Sequence, residues 1–127
     1  MRPLVVATAL AALVGAGTLS ALAQAAAPAG DRAAGEDLFL DRCAMCHVAE
    51  GGGQGPSLQG VYGRKAAAAP GFAYSAALKA SGVTWTAPEL DRFLTNPSVA
   101  IPGTAMPITV PDAAQRANLI AYFAAQK

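Results

Sequence analysis

The 127-residue sequence predicts an all-α fold, with several helices joined by long loops. Apolar residues recur at helical spacing in separate segments, and residues suited to helix capping stand at the start of these segments. Glycine- and proline-rich stretches separate the helical segments. No segment shows the alternation of apolar and polar residues that predicts a strand.

The first two helices are predicted from their caps and from an apolar stripe. Asp31 stands at an N-cap position, and residues 33–43 follow with Gly35, Leu38 and Phe39 on one face. The glycine-rich run from Gly51 to Pro56 predicts a loop. Residues 75–81 predict a short helix with Gly82 at its C′ position.

Two further helices complete the prediction. The third begins at a capping box, Thr86–Glu89, and stops at Asn96–Pro97. The last begins at Pro111–Asp112, with Gln115 three residues beyond the aspartate. Its inward-facing residues are Leu119, Ile120, Tyr122 and Phe123.

Residues 1–25 predict an export signal. Met1–Arg2 precede an apolar run, and small residues lead to cleavage near Ala23 or Ala25. The alternative is a membrane anchor, since the apolar stretch is long enough to span, but glycine and hydroxyl residues weaken its second half and no basic cluster follows. Residues 26–30 then form a short Ala/Pro linker, and residues 31–127 form one domain.

The charge balance excludes a class of partners. Once Arg2 leaves with the signal, eight basic and eight acidic residues remain, and no basic patch is present. Nucleic acid is therefore not an expected partner. About 100 mature residues make a marginal core, which a buried prosthetic group would help to complete.

The segment Cys43-Ala44-Met45-Cys46-His47 is the attachment signature of a c-type haem. Each thiol can bond one vinyl-derived carbon of the porphyrin, and His47 can then serve as the proximal iron ligand. A redox dithiol is the first alternative, but it belongs beside a βαβ pattern that is absent from this sequence. A structural disulfide is the second, and it would close a loop too short to stabilise the fold much. The motif predicts one covalently attached haem c.

A second axial ligand is expected opposite His47, because iron in an electron carrier is usually six-coordinate. No other histidine exists, so methionine is the remaining common choice. Met1 leaves with the signal, and Met45 lies between the two cysteines on the proximal side. Met106 remains, in a proline-bracketed segment that can present its thioether from a loop, although methionine is more often a core residue.

These motifs, taken in order, resemble those of class I cytochromes c, the mitochondrial type and its soluble bacterial relatives. The similarity runs from Gly30 to Lys127 and is strongest between Gly55 and Tyr74. It resumes in Gly82–Trp85 and Ile101–Thr104. The resemblance implies the cytochrome c fold, in which helices and long loops surround one covalently bound haem.

The resemblance also implies roles for individual residues. The carbonyl of Pro56 would accept a hydrogen bond from the second ring nitrogen of His47. Tyr74 and Trp85 would donate hydrogen bonds to a haem propionate, with Arg64 nearby, although Trp85 is also suited to ordinary core packing. Thr104 would belong to the haem environment. Gly35 and Phe39 of the first helix would cross Leu119 and Tyr122 of the last.

The sequence departs from the mitochondrial type at several positions. Leu78 and Phe93 replace an asparagine and a tyrosine, so a drier haem crevice is expected. Ser98, Val99 and Ala105 stand where lysines are common. Because few lysines remain, we expect little electrostatic steering toward an acidic partner.

The expected function is that of a soluble, monomeric, periplasmic monohaem cytochrome, which carries one electron between redox complexes and is not an enzyme. Donors would be a bc-type complex or a dehydrogenase, and acceptors a terminal oxidase or a photosynthetic reaction centre. A membrane-tethered carrier or oxidase-associated subunit is the alternative if the N-terminal segment is retained. A haem enzyme or gas sensor is a third possibility, and it would require a labile Met106.

Overall fold

The computed structural model describes residues 29–126, so the predicted signal and most of the linker lie outside the described residues. Five helices follow in order: α1 (Arg32–Arg42), α2 (Ala76–Ala80), α3 (Ala87–Thr95), α4 (Pro97–Ala100) and α5 (Ala113–Ala125). Among these residues no strand forms, and the extended chain meets only in one isolated bridge between Lys65 and Thr84. The all-α prediction is confirmed. None of the helices in this range is long and apolar enough to cross a membrane.

Helices α1 and α5 pack closely because the residue at their crossing has no side chain. A Cβ on Gly35 would overlap the backbone carbonyl of Asn118 and would lie 3.0 Å from Cβ of Tyr122. Farther along α1, the ring of Phe39 lies 5.4 Å from the ring of Tyr122 and 6.1 Å from that of Phe123. The predicted crossing is therefore present, and it fixes the end of α1 from which the haem-attachment motif continues.

Side-chain caps define the starts of α1 and α5. The carboxylate of Asp31 accepts hydrogen bonds from the backbone N–H groups of Ala33 and Ala34. The carboxylate of Asp112 accepts one from the N–H of Gln115 at 2.8 Å. Both caps satisfy N–H groups that have no partner within the helix.

The capping box predicted at the start of α3 does not form. Thr86 occupies the N-cap position, but its side chain makes no capping hydrogen bond. Glu89, which a capping box would direct back to the N-cap, instead accepts from Arg92 at 2.6 Å. Because Glu89 forms an ion pair with Arg92 on the exposed face of α3, its carboxylate does not bond to the N-cap as a capping box requires.

Helix α4 was not expected from the sequence. The predicted stop of α3 at Asn96 is confirmed, but the chain then re-enters a short helix whose first residue is Pro97. The side chain of Asn96 caps α4 by accepting from the N–H of Val99. Pro97 fits the first helical position because its missing N–H would have had no partner there.

The core lies against α3 and α5. Its buried members are Val61, Trp85, Leu90, Phe93, Leu94, Ile101, Val110, Leu119, Ile120, Tyr122 and Phe123. Two loop segments join this core through backbone hydrogen bonds, from Trp85 N–H to the carbonyl of Arg64 and from Gly63 N–H to the carbonyl of Trp85. These bonds place Trp85 and Arg64 side by side at the edge of the core.

Candidate functional site

Nearly all of the site residues predicted from the sequence line a single cleft. It measures about 910 Å³ when its solvent-facing mouth is included. Its lining includes Cys43, Cys46, His47, Pro56, Arg64, Tyr74, Trp85 and Met106. These residues are spread over more than 60 positions of the chain, so the fold and not local sequence brings them together.

The end of α1 delivers the two thiols and the imidazole. Cys43 is the C-cap of α1, and its N–H donates to the carbonyl of Phe39. The chain then turns back, since the N–H groups of Cys46 and His47 both donate to the carbonyl of Cys43, at 3.1 and 2.9 Å. This tight turn keeps three reactive side chains on one wall of the cleft.

The His47 ring is held on two sides by the loop that follows it. Its Nδ1 lies 2.8 Å from the carbonyl oxygen of Pro56, which is the contact that the resemblance implies. A carbonyl can only accept, so Nδ1 carries the proton and Nε2 keeps its lone pair for a metal ion. Gly55 packs against the ring, because a Cβ there would come within 2.6 Å of Cε1 and 2.7 Å of Nδ1. Orientation and tautomer are thus set before any metal binds.

The two thiols are free and half-buried. Burial raises the pKa of the Cys43 thiol above its ordinary value, and the nearby Cys46 raises it further, while the Arg42 guanidinium lowers it. Before a haem is attached, the Cys43 thiol is therefore in its neutral S–H form near neutral pH. Both sulfur atoms are available for bonds to a group in the cleft.

Met106 reaches the same cleft from a different part of the chain. It is half-buried and belongs to a loop, residues 104–110, which we call the Met106 loop. The other two methionines differ from it. Met45 is 85% exposed and does not line the cleft, and Met1 lies outside the described residues.

Polar groups at the cleft are few, and each is held by the surrounding loops. Arg64 donates to the carbonyls of Gln59 at 2.7 Å and Ser57 at 3.0 Å. Within residues 29–126 no carboxylate lies at ion-pair distance from its guanidinium. The Tyr74 hydroxyl accepts from the N–H of Ala69 at 3.2 Å, which leaves its own proton free to donate. An anionic group entering the cleft would meet these donors.

Thr104 differs from the other predicted site residues. It is half-buried and its N–H donates to the carbonyl of Ile101 at 3.1 Å, but it does not line the cleft. Eight of the nine site residues predicted from the sequence therefore line the cleft. The ninth, Thr104, instead supports the start of the Met106 loop.

Most of the apolar lining was not identified as site residues from the sequence. It includes Leu58, Val61, Leu90, Leu94, Ile108 and Phe123. Helical periodicity marks such residues as core, and nothing in that pattern separates core from cofactor wall. Leu78 and Phe93, the two departures from the mitochondrial type, also line the cleft and give it apolar surface. Arg42 and Lys65 are the unpredicted charged members.

The donor set fits a covalently bound haem. Two free thiols, an oriented imidazole and a thioether line one apolar cleft, and Arg64 with Tyr74 offers hydrogen-bond donors for a carboxylate. Imidazole and thioether are both iron ligands in haem proteins. Within the described range no cluster of His, Cys, Asp and Glu forms another metal site.

Comparison with known proteins agrees with a covalently bound haem in this cleft. The family model for cytochrome c matches residues 32–127. Cytochrome c of Chlamydomonas reinhardtii is 49% identical over 77% of this chain and 91% of its own length. Cytochrome c-type cyt cy of Rhodobacter capsulatus is 45% identical over 73% of this chain and 48% of its own length. Among solved structures, cytochrome cH from Methylobacterium extorquens superimposes with a TM-score of 0.71 at 43% identity, covering 75% of this chain and 98% of that protein. This chain belongs to the cytochrome c family.

Proposed function

We propose that this protein is a soluble periplasmic carrier that passes single electrons between respiratory or photosynthetic complexes, with His47 and Met106 as the axial iron ligands. Membership of the cytochrome c family establishes the coarser statement, that the chain is a monohaem electron carrier with a covalently attached haem c and not an enzyme. Cys43 and Cys46 are the proposed attachment points.

The convergence of His47 and Met106 on one cleft is the observation that carries the proposal. The chain has one histidine, and Met106 is the single methionine of residues 29–126 that lines the cleft. Two protein ligands would leave no open iron position for a substrate. Such closure suits outer-sphere electron transfer and not catalysis or gas sensing.

The residues around the site have two functions in electron transfer. The haem supplies the ferric/ferrous couple. Pro56 and Gly55 keep the His47 ring in one orientation, so that the ring does not rearrange when the charge changes. The apolar wall that includes Leu78 and Phe93 excludes water, which would otherwise reorient with each change of charge.

A redox-titrated visible spectrum of the purified holoprotein tests the ligand assignment. We expect a sharp ferrous α-band, a ferric sulfur-to-iron band near the red edge of the spectrum, a positive midpoint potential and slow or weak binding of carbon monoxide. In Met106→Ala the sulfur-to-iron band should vanish and carbon monoxide should bind rapidly. Met45→Ala is the matched control, because Met45 is 85% exposed and outside the cleft, and it should retain the parental spectrum.

A high-spin spectrum of the parental protein, or a band that persists in Met106→Ala, would overturn the assignment. Rapid carbon monoxide binding by the parental protein would favour a haem enzyme or a gas sensor. Either result leaves the family membership unchanged, because that rests on the comparisons.

The periplasmic location rests on the predicted signal in residues 1–25 and on the export that covalent haem attachment requires. Intact-mass analysis of the holoprotein from its natural host tests it. A mass that lacks residues up to Ala23 or Ala25, found in the periplasmic fraction, is the expected result. Retention of Met1 with membrane association would favour the tethered carrier.

A further inference from the structure

We propose that Arg116 is a positioning residue for Met106, which fixes one end of the Met106 loop and so limits how often the thioether leaves the iron. This inference rests on the proposed ligation by Met106. Arg116 is distant in sequence from the haem-attachment motif and does not line the cleft. Its effect would pass through the backbone of the loop.

The Met106 loop is fixed at its ends and free between them. At its start, the N–H of Thr104 donates to the carbonyl of Ile101. At its end, the N–H of Val110 donates to the carbonyl of Leu94 at 2.8 Å. Within the part of the chain that the structure describes, residues 105–109 make no hydrogen bond, and Pro107, Ile108 and Thr109 are exposed. The position of Met106 therefore depends on the two fixed ends and on the packing of its side chain against the core.

Arg116 supplies most of the attachment at the second end. From the first turns of α5, its Nη1 donates to the carbonyl of Val110 at 3.0 Å and to that of Pro111 at 2.8 Å. Its Nε donates to Asp91 at 2.7 Å. The backbone of Val110 is thus bound on both sides, to α3 through its N–H and to α5 through its carbonyl.

Burial of the guanidinium strengthens its bonds to the carbonyls of Val110 and Pro111, whereas the Asp91 carboxylate is 48% exposed and its ion pair with Arg116 is more open to water. The Arg116 side chain is 11% exposed, whereas the Arg92 side chain in the other ion pair is 48% exposed. Water competes less for buried donors, and hydrogen bonds to charged groups stabilise more than neutral ones. Asp91 lies on α3 beside Leu90, which lines the cleft, so Arg116 ties the loop to the same helix that forms the cleft wall.

The planar guanidinium is required for this geometry. It reaches one carboxylate and two carbonyls at fixed angles, whereas a lysine ammonium would reach one or two of them with a flexible stem. In Arg116→Lys we expect the end of the loop to open more often while the positive charge is retained. An equilibrium between closed and open loops would then shift toward the open form by the free energy of the lost bonds.

Two measurements on the holoprotein report this opening. The first is hydrogen exchange of the Val110 amide, which should be about tenfold faster or more in Arg116→Lys, as expected for a lost hydrogen bond to a charged group. The second is the affinity of the ferric protein for imidazole, which competes with Met106 for the iron. Because the apparent dissociation constant varies inversely with the open fraction, it should fall by about the same tenfold factor.

Asn118→Ala is the matched control. Asn118 also lies on α5 and makes a hydrogen bond to another element, accepting from the N–H of Asp31 at 2.8 Å. Its loss should lower the global stability without touching the Met106 loop. We expect Val110 exchange in the native state and imidazole affinity to stay within about twofold of the parental values, since the two sites share no partner.

The outcomes separate the inference from the proposed function. If the parental protein lacks the sulfur-to-iron band, ligation by Met106 is wrong and the inference fails with it. If the band is present but Arg116→Lys matches Asn118→Ala in both measurements, Arg116 is only a structural residue and the inference alone is wrong. Faster Val110 exchange with unchanged imidazole affinity also overturns it, because the loop end would then open without releasing Met106.

Discussion

Substitution of Gly55 by alanine tests whether the loop after the haem-attachment motif sets the position of His47. The added Cβ would lie 2.6 Å from Cε1 and 2.7 Å from Nδ1 of the ring, whereas ordinary contacts begin near 3.4 Å. The ring or the loop must therefore move by about 0.8 Å. Gly55 is absent from the residues with positive φ, so alanine brings no backbone strain and the effect is steric.

The structure gives the size of the effect. A movement of that size takes the 2.8 Å contact between His47 and Pro56 outside the hydrogen-bonding range. Overpacking costs about 1–3 kcal/mol and a lost hydrogen bond about 1 kcal/mol, so the free energy of unfolding should fall by about 2–4 kcal/mol. The midpoint potential should rise, because an imidazole without its carbonyl partner donates less to ferric iron.

Guanidinium chloride unfolding and potentiometric titration of the holoprotein provide the assay. Gly52→Ala is the control, since Gly52 has φ +83° and no atom near its added Cβ. That variant should lose about 1–2 kcal/mol through backbone strain alone and keep the parental potential. If Gly55→Ala is no less stable than Gly52→Ala and keeps the parental potential, the packing of Gly55 on the ring does not position His47.

Three further predictions concern packing, capping and docking. Gly35→Ala should lower the free energy of unfolding by about 1–3 kcal/mol, because its Cβ would overlap the carbonyl of Asn118; a parental value in denaturant titration would show that α1 and α5 can separate freely. Asp112→Ala should lower the free energy of unfolding by about 1 kcal/mol because it removes a cap. Thr86→Ala should lower it by less than about 0.5 kcal/mol, since Thr86 makes no capping bond. Equal losses in the same titration would contradict the cap assignments. Rates of electron exchange with a partner complex, followed by stopped flow, should depend weakly on ionic strength because few lysines are present; a steep fall with added salt would reveal a charged docking site.

Features encoded within a few residues are the ones that the sequence predicts well. The caps at Asp31 and Asp112 and the stop of α3 at Asn96 depend on local hydrogen bonds, and all three are present. The box at Thr86 is not, because Glu89 has a competing partner one turn away. Helix α4 is too short for a periodic pattern, although an asparagine followed by proline is a local signal that could have indicated it.

Features that depend on contacts between distant segments cannot be predicted from local sequence patterns. The cleft-lining role of Leu58 or Val61 requires the tertiary fold, since apolar spacing alone marks only core. Gly55 is recognisable as a loop residue, but its packing on His47 appears only in three dimensions. Arg116 pairs with Asp91, 25 positions earlier, and no spacing rule connects them.

The division of the Met106 loop into fixed ends and a free middle has a consequence for protein engineering. Backbone atoms at Val110 secure the loop, whereas Pro107 and Thr109 are exposed, do not line the cleft and make no hydrogen bond in the described chain. Ile108 lies between them and contributes to the cleft lining. Substitutions at Pro107 and Thr109 can therefore alter the outer surface beside the cleft while the anchoring bonds and the cleft lining stay intact. Libraries confined to Pro107 and Thr109 offer a way to retarget such a carrier to a new donor or acceptor without changing the residues around its haem.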